Sequence, residues 1–390
     1  MAELSQICRA ARAGAPRPEP LWLATVMRVK GSAYRHPGAR MLFSSGQVLG
    51  GSVSGGCLEA AIVRKGPWLA RERPTCMRFD GSREEEDDES PRGAGCDGIV
   101  DILLERASFD LPCAPLSVIE DCLRSERRAV LASVFSSSDD FAPVGARLTL
   151  DETGKFSTHA LSGPAFRRLA EQAEWALAEQ YSRRQLVSAE GFEALLEVIE
   201  PPPHLFVFGT GPDALPLVEF AAALGFGVTV CGTSARVEVR ERFTANAELH
   251  LGDIASVAAL IAARRTPVAV VMSHHYATDR QALRMLLDSR APYIGMLGPQ
   301  RRSQRMLDEL FSDPTELAKR DPGRVRAPLG LDLGGETPAQ IALSAIAEVQ
   351  GVLARASALP LSQCGSRAIH RPVSELTLPA ARDLAKTGTA

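Results

Sequence analysis

Two stretches in the first half of the chain repeat one order of apolar runs and polar turns. Each begins with an apolar run of strand type, passes through a Gly-Ala-Arg turn into a second such run, and reaches a Ser-Gly turn before a helical pattern. Leu23 and Leu131, like Ser54 and Ser162, are 108 residues apart. We predict that residues 20–195 form one α+β domain of two related halves; chance similarity of short patterns is the alternative.

A later part of the chain alternates apolar strands with helical patterns. A strand is predicted at Leu205–Phe208, a helix at Leu215–Leu224 and a second strand at Gly227–Cys231. Further short apolar strands follow at Val268–Met272 and Tyr293–Met296. Such alternation is typical of a Rossmann-like, doubly wound parallel sheet, so the predicted fold class is α/β with an α+β domain in front.

Proline content and periodicity set the domain boundaries. The run Glu200-Pro201-Pro202-Pro203 breaks helices and stiffens the chain. The predicted divisions are an α+β domain at 1–195, a proline-rich linker at 196–203, a Rossmann-like domain at 204–354 and a partly ordered tail at 355–390.

Composition excludes several classes of function. The 390 residues carry a formal net charge of −3, so no basic excess indicates nucleic-acid binding. The N-terminus has no signal-peptide pattern, and no apolar run approaches the roughly 20 residues of a membrane span. A cytoplasmic protein without membrane contact is expected. The eight cysteines lack CxxC or zinc spacing, so no metal site is predicted and free thiols are expected.

One cysteine has distinctive neighbours. The segment Gly50–Ala61 places Cys57 behind two glycines at the start of a predicted helix. Glycines allow close approach of a ligand, unpaired amides at a helix start form an anion site, and the helix dipole favours a thiolate. The candidate site is therefore Ser54, Gly55, Gly56 and Cys57. A cysteine packed into the core is the alternative.

The two predicted halves differ at this cysteine. Ala165 stands in the second half where Cys57 stands in the first. If the duplication is real, the second half serves as scaffold and the first keeps the reactive site. Between the halves, the six acidic residues Glu84–Glu89 are typical of a solvated loop, with docking to a basic partner as the alternative.

The Rossmann-like domain opens with a glycine loop between strand and helix. Gly209 and Gly211 have the spacing that lets a pyrophosphate approach a helix N-terminus. The second strand is not followed by the acidic residue that binds ribose hydroxyls. Its end carries Thr233, Ser234 and Arg236, which suit a phosphate, either the 2′-phosphate of NADP or that of a pterin. A solvated loop without ligand is the alternative.

Other polar segments follow the later strands of the predicted sheet. His274 and His275 come after the third strand, and Gly298 and Arg301 come after the fourth. Residues just beyond parallel strands commonly line the ligand crevice, so these four join the candidate site. Thr337 is predicted to cap a final helix with proline at its first position.

Together these motifs resemble the signature of the XdhC/CoxI family. The matching segments are Gly31-Ser32-Ala33, Pro37–Met41, Gly51–Glu59, Gly295–Arg302 and Ala327–Pro338. The resemblance covers roughly residues 20–105 and 203–350. The sequence departs from the family pattern at Tyr34, at Asp97 after Cys96, and at Pro212-Asp213-Ala214, where the family often has His-x-Gly.

The resemblance implies a chaperone for molybdenum cofactor (molybdopterin) rather than an enzyme. Cys57 would hold or help sulfurate this cargo before delivery to a molybdoenzyme of the xanthine dehydrogenase or aldehyde oxidoreductase type. A cysteine desulfurase as second partner, a bound nucleotide and a homodimer are further expectations. Two alternatives stay open: an NADP-dependent oxidoreductase using Gly209, Gly211 and Arg236, and a sulfurtransferase with a persulfide on Cys57.

Overall fold

The computed structural model divides the chain into two compact units, residues 3–200 with 365–390, and residues 201–364. The residues described are 2–13, 20–31, 33–44, 46–56, 58–81, 98–178, 184–233, 237–243, 245–311, 314–364 and 373–378. Among them, no helix is both long and apolar enough to cross a membrane.

The first unit contains two successive sets of elements in the same order. The first half comprises α1 (Ala2–Arg12), β1 (Trp22–Lys30), β2 (Arg40–Ser44), β3 (Gln47–Gly51), α2 (Glu59–Leu69), β4 (Thr75–Asp80) and β5 (Ile99–Arg106). The second half comprises α3 (Pro115–Ser125), β6 (Ala129–Ser137), β7 (Arg147–Asp151), β8 (Phe156–His159), α4 (Gly163–Ala178), β9 (Arg184–Ala189) and β10 (Phe192–Ile199).

The two halves also share one sheet topology. The first sheet has the order β3-β2-β1-β5-β4 and the second β8-β7-β6-β10-β9, with β17 (Ser374–Thr377) added parallel to β9. The register agrees as well, because Leu23 pairs with Glu105 in the first sheet and Leu131 with Glu197 in the second. The predicted α+β architecture of two related halves is confirmed.

Reciprocal contacts hold the halves together. Arg40 of the first half forms an ion pair with Glu197 of the second, and Arg147 of the second forms one with Glu105 of the first. All four side chains are buried, with Arg40 only 2% exposed. Because the positions correspond, the interface repeats each contact once, as a two-fold symmetric dimer interface does.

The second unit contains the alternating elements that the sequence predicts. They are β11 (His204–Phe208), α5 (Leu215–Ala223), β12 (Gly227–Gly232), α6 (Val237–Phe243), β13 (Glu248–Leu251), α7 (Val257–Ala263), β14 (Pro267–Val271), α8 (Tyr276–Leu287), β15 (Ile294–Met296), α9 (Gln300–Leu310), α10 (Pro314–Ala318), β16 (Val325–Arg326) and α11 (Pro338–Ala354). Thr337 caps α11 in a capping box with Gln340, as predicted.

The sheet of this unit has the order β13-β12-β11-β14-β15-β16, and its strands run parallel. This is the doubly wound Rossmann order, so the predicted fold is confirmed. Leu205 and Val207 pack in the core with α5, whereas Phe206 and Phe208 pack in the core with α8. The connections after β11 and β14 therefore leave to opposite faces and create a crevice between these strand ends.

Candidate functional site

A carboxylate organises the loop Ser52–Gly56 in front of α2. Glu59 Oε1 accepts hydrogen bonds from the amides of Ser54 at 2.8 Å and Val53 at 3.2 Å. Its Oε2 accepts from the amide of Gly56 at 3.1 Å and from the Ser54 hydroxyl. Glu59 thus occupies the position among these amides that an anionic ligand would take.

The expectation of unpaired amides in this loop is therefore wrong for Ser54 and Gly56. The expectation that Ser54 directly opens the helix is also wrong, because α2 begins at Glu59. Burial opposes ionisation of Glu59, but hydrogen bonds from Ser54 and from backbone amides outweigh it and lower its pKa. The resulting negative charge repels a phosphate placed on the same amides.

The loop is also tied to α1 and leaves an open glycine face. The Ser52 amide donates to Glu3 Oε1 at 3.1 Å. Gly55 and Gly56 are exposed, and a Cβ on Gly56, whose φ is +112°, would meet nothing within 4 Å. The Tyr34 ring lies 3.8 Å from the Cβ position of Gly55. A ligand can therefore reach this backbone, with an aromatic ring beside it.

Cys57 itself lies outside the described residues, as do Cys96 and the acidic run Glu84–Glu89, so their predicted roles stay predictions. Four other cysteines are poor nucleophiles. Burial raises the pKa of Cys8 to about 11 and the pKa values of three others to about 12, namely Cys76, Cys122 and Cys231. A buried thiol of this kind stays protonated at neutral pH.

In the second unit, the crevice lies between the ends of β11 and β14, and Gly209 allows these ends to approach. A Cβ on Gly209 would lie 2.6 Å from the carbonyl oxygen of Met272. Gly211 makes room for Asp213, since a Cβ there would collide with Asp213 Oδ1. The two glycines of the predicted fingerprint are thus required by contacts within the chain.

Asp213 also joins the two strand ends directly. His274 Nε2 donates a hydrogen bond to Asp213 Oδ2 at 2.7 Å. His274 has a φ of +62°, in the left-handed region that a non-glycine residue rarely adopts. Of the residues predicted for this site, Gly209, Gly211 and His274 therefore lie together, around an aspartate that the sequence analysis noted only as a departure from a family pattern.

A second buried carboxylate fixes the loop after β14. Asp279, 1% exposed, accepts from the Ser273 hydroxyl at 2.5 Å, and Arg302 Nη1 lies 2.8 Å from its other oxygen. Arg302 thus links α9 to α8. The neighbouring Arg301 is exposed.

The remaining predicted residues have other surroundings. His275 is exposed and its Nδ1 lies 3.1 Å from Thr278 Oγ1, within the first turn of α8. Gly298, with a φ of +120°, lies against the side chain of Arg302. Thr233 is exposed at the end of β12, next to Gly232, while Ser234 and Arg236 lie outside the described residues.

A groove of about 700 Å³ lies at the opposite edge of the sheet, before β15 and β16. Arg324 donates there to the carbonyl oxygens of Ser289 and Ala291, and Arg320 pairs with Asp288. Its charged groups therefore satisfy one another. The carboxyl ends of the strands remain the better candidate, because ligands of doubly wound sheets bind there.

The fold and the two glycine loops define an α/β protein of two units, in which a duplicated α+β unit with one elaborated loop precedes a Rossmann-type unit. The family described as "XdhC Rossmann domain" matches residues 205–349, and the one described as "XdhC and CoxI family" matches residues 15–80. A Bacillus subtilis (strain 168) protein, named as one of the probable subunits of a xanthine dehydrogenase, is 30% identical over 341 residues, which cover 84% of this chain and 91% of that protein. The chain belongs to the XdhC/CoxI family.

Two further similarities agree with this assignment. The crystal structure of a xanthine dehydrogenase from Bacillus halodurans is 26% identical, with a TM-score of 0.70 over 92% of this chain and 98% of that chain. The Escherichia coli (strain K12) protein YqeB is 27% identical over 148 residues, or 38% of this chain and 27% of that protein. The resemblance inferred from the motifs is confirmed.

Proposed function

We propose that the protein holds molybdenum cofactor and delivers it to a molybdoenzyme of the xanthine dehydrogenase type. Family membership and the names of the similar Bacillus proteins support an accessory role beside such an enzyme. The observation that carries the proposal is the Ser52–Gly56 loop, which Glu3 and Glu59 hold open in one half of the duplicated unit. The loop leads directly to Cys57.

Cys57 is the group we assign to cargo handling. A thiolate is a soft ligand suited to a molybdenum or sulfur centre. The exposed backbone of Gly55 and Gly56, with the Tyr34 ring beside it, lets a flat ligand approach. A cysteine desulfurase as sulfur donor, a homodimeric assembly and a cytoplasmic location belong to the same proposal.

The experiment is a delivery assay with the full-length protein. Purified protein is analysed for bound pterin and then mixed with a cofactor-free molybdoenzyme of the xanthine dehydrogenase type. We expect bound pterin and a rise in the activity of that enzyme. Protein that carries no pterin and leaves the enzyme inactive would contradict the proposal.

A sulfurtransferase shares Cys57 with this proposal and is separated from it by mass spectrometry. Persulfide on Cys57 without bound pterin would favour that function. The NADP-dependent oxidoreductase fits the crevice less well, because Asp213 fills the space above Gly211 where a pyrophosphate would lie.

A further inference from the structure

The glycine loop of the Rossmann-type unit contains its own negative charge. In dinucleotide-binding proteins, the second glycine of this loop lets a pyrophosphate approach the backbone. Here the space above Gly211 is taken by Asp213, whose Oδ1 would collide with a Cβ on that glycine. A phosphate at this place would face a carboxylate. The loop therefore favours a ligand group that donates hydrogen bonds over one that carries negative charge.

The Asp213 carboxylate is held in place and can be reached. His274 Nε2 donates to its Oδ2 at 2.7 Å, across the gap between the ends of β11 and β14. Asp213 Oδ1 accepts no hydrogen bond from the described residues, and the side chain is 26% exposed. One oxygen is thus oriented by the protein while the other faces the crevice.

We propose that Asp213 binds the 2-aminopyrimidin-4-one edge of a pterin. That edge presents two neighbouring donors, the ring N–H and the amino group, at a spacing that matches the two oxygens of a carboxylate. Each carboxylate oxygen accepts more than one hydrogen bond, so Oδ2 can serve the ligand and His274 together. The inference rests on the proposed function, because it assigns the ring of the proposed cargo to a place in the crevice.

His274 acts in this account as a positioning residue. It reaches Asp213 from a backbone conformation in the left-handed region. Ser273 beside it is bound through its hydroxyl to the buried Asp279, which fixes the start of this loop. Strained residues at strand ends persist where the surroundings hold them, and they cluster at binding sites.

Guanine presents the same donor edge, so the test must separate the two sources. The full-length protein is titrated calorimetrically with pterin (2-amino-4-oxopteridine), with lumazine (2,4-dioxopteridine) and with guanosine. Lumazine differs from pterin only where a carbonyl replaces the amino group. We expect pterin to bind about tenfold or more tightly than lumazine, because the carbonyl would face the carboxylate acceptor to acceptor. Guanosine should bind more weakly than pterin.

Variants test the role of Asp213 itself. In Asp213→Asn the preference for pterin over lumazine should fall to about threefold or less, because the amide offers one acceptor and one donor group. Glu219→Gln, which removes an exposed carboxylate from α5, should leave the preference unchanged. Thermal unfolding of each variant checks that the fold is retained.

Three results would overturn the inference: equal affinity for pterin and lumazine, an unchanged preference in Asp213→Asn, or tighter binding of guanosine or NADPH than of pterin. Its failure is distinct from failure of the proposed function. If the delivery assay succeeds while the pterin preference is absent or independent of Asp213, the inference is wrong and the carrier proposal stands. If delivery fails while the preference is present, the reverse holds.

Discussion

The two halves of the first unit have the same strand order and register but differ in one connection. In the second half, α4 begins at Gly163, directly after Ser162. In the first half, Ser54 is followed by an open loop and α2 begins only at Glu59. The position that corresponds to Glu59 is Arg167, which lies within α4.

This difference shows how a repeated scaffold can acquire a site in one copy. The first amides of a helix lack intrahelical partners, and a carboxylate can accept hydrogen bonds from them, whereas an arginine has no acceptor. Glu59 accepts from Val53, Ser54 and Gly56 and keeps the chain out of the helix there. Function on a shared scaffold commonly resides in such loops.

The largest effect is expected where the halves are equivalent. Arg40→Met leaves Glu197 buried without its partner, and Arg147→Met does the same to Glu105. Each variant should lose about 3–5 kcal/mol in the free energy of unfolding, measured by chemical denaturation. Arg12→Met removes an ion pair whose arginine is 56% exposed and should cost less than about 1 kcal/mol. A large loss in only one of the two buried pairs would contradict the equivalence.

A second effect should distinguish the halves. Asp101 and Glu193 occupy corresponding positions, and Arg28 contacts both, but only Asp101 is fully buried and also binds Arg78, at 2.7 Å. Asp101→Asn should therefore cost about 1.5–3 kcal/mol at neutral pH. Glu193→Gln, at a half-buried site, should cost less than about 1 kcal/mol by the same denaturation measurement.

The pH dependence gives this comparison a sign. Burial opposes ionisation of Asp101, but its bonds to Arg78 and Arg28 outweigh burial and hold its pKa below the ordinary value. Since the folded pKa is the lower one, the stabilisation is complete above about pH 4 and is lost as the pH falls through the folded pKa. Asp101→Asn should flatten this acid-induced loss, and an unchanged acid profile would contradict the assignment.

Much of this architecture follows from sequence pattern, whereas the site contacts do not. The repeat spacing and the alternating runs predicted both folds because burial imposes periodicity on strands and helices. The ion pair of Arg40 with Glu197 spans 157 residues, and the bond of His274 to Asp213 spans 61. Contacts of that range depend on how elements pack, which local periodicity does not specify.

The amides of the Ser52–Gly56 loop were predicted to be unpaired for a related reason. Their pairing depends on Glu59, whose side chain folds back over five residues. The spacing of Ser54 and Glu59 resembles a capping box lengthened by two residues, a signal that could have indicated this contact. Asp213 was likewise noticed only as a departure from a pattern, although its carboxylate stands at the centre of the crevice.

A third, smaller effect should arise at the loop itself. Glu59→Gln keeps one acceptor oxygen and should cost about 1–2 kcal/mol, while it also increases hydrogen exchange at the amides of Val53, Ser54 and Gly56. The matched variant Arg167→Gln, at the exposed equivalent position, should change stability by less than about 0.5 kcal/mol. Equal effects of the two variants would remove the distinction between the halves.

The most direct test of the account is the amount of pterin that copurifies with the full-length protein and with Cys57→Ala. Ala165 occupies the corresponding, buried position in the second half, so this variant is expected to fold with unchanged stability. Cys364→Ala, outside both halves, is the control. We predict that Cys57→Ala loses its bound pterin or no longer activates a cofactor-free molybdoenzyme, whereas Cys364→Ala behaves as the parent. Full pterin content and full delivery in Cys57→Ala would contradict the central claim.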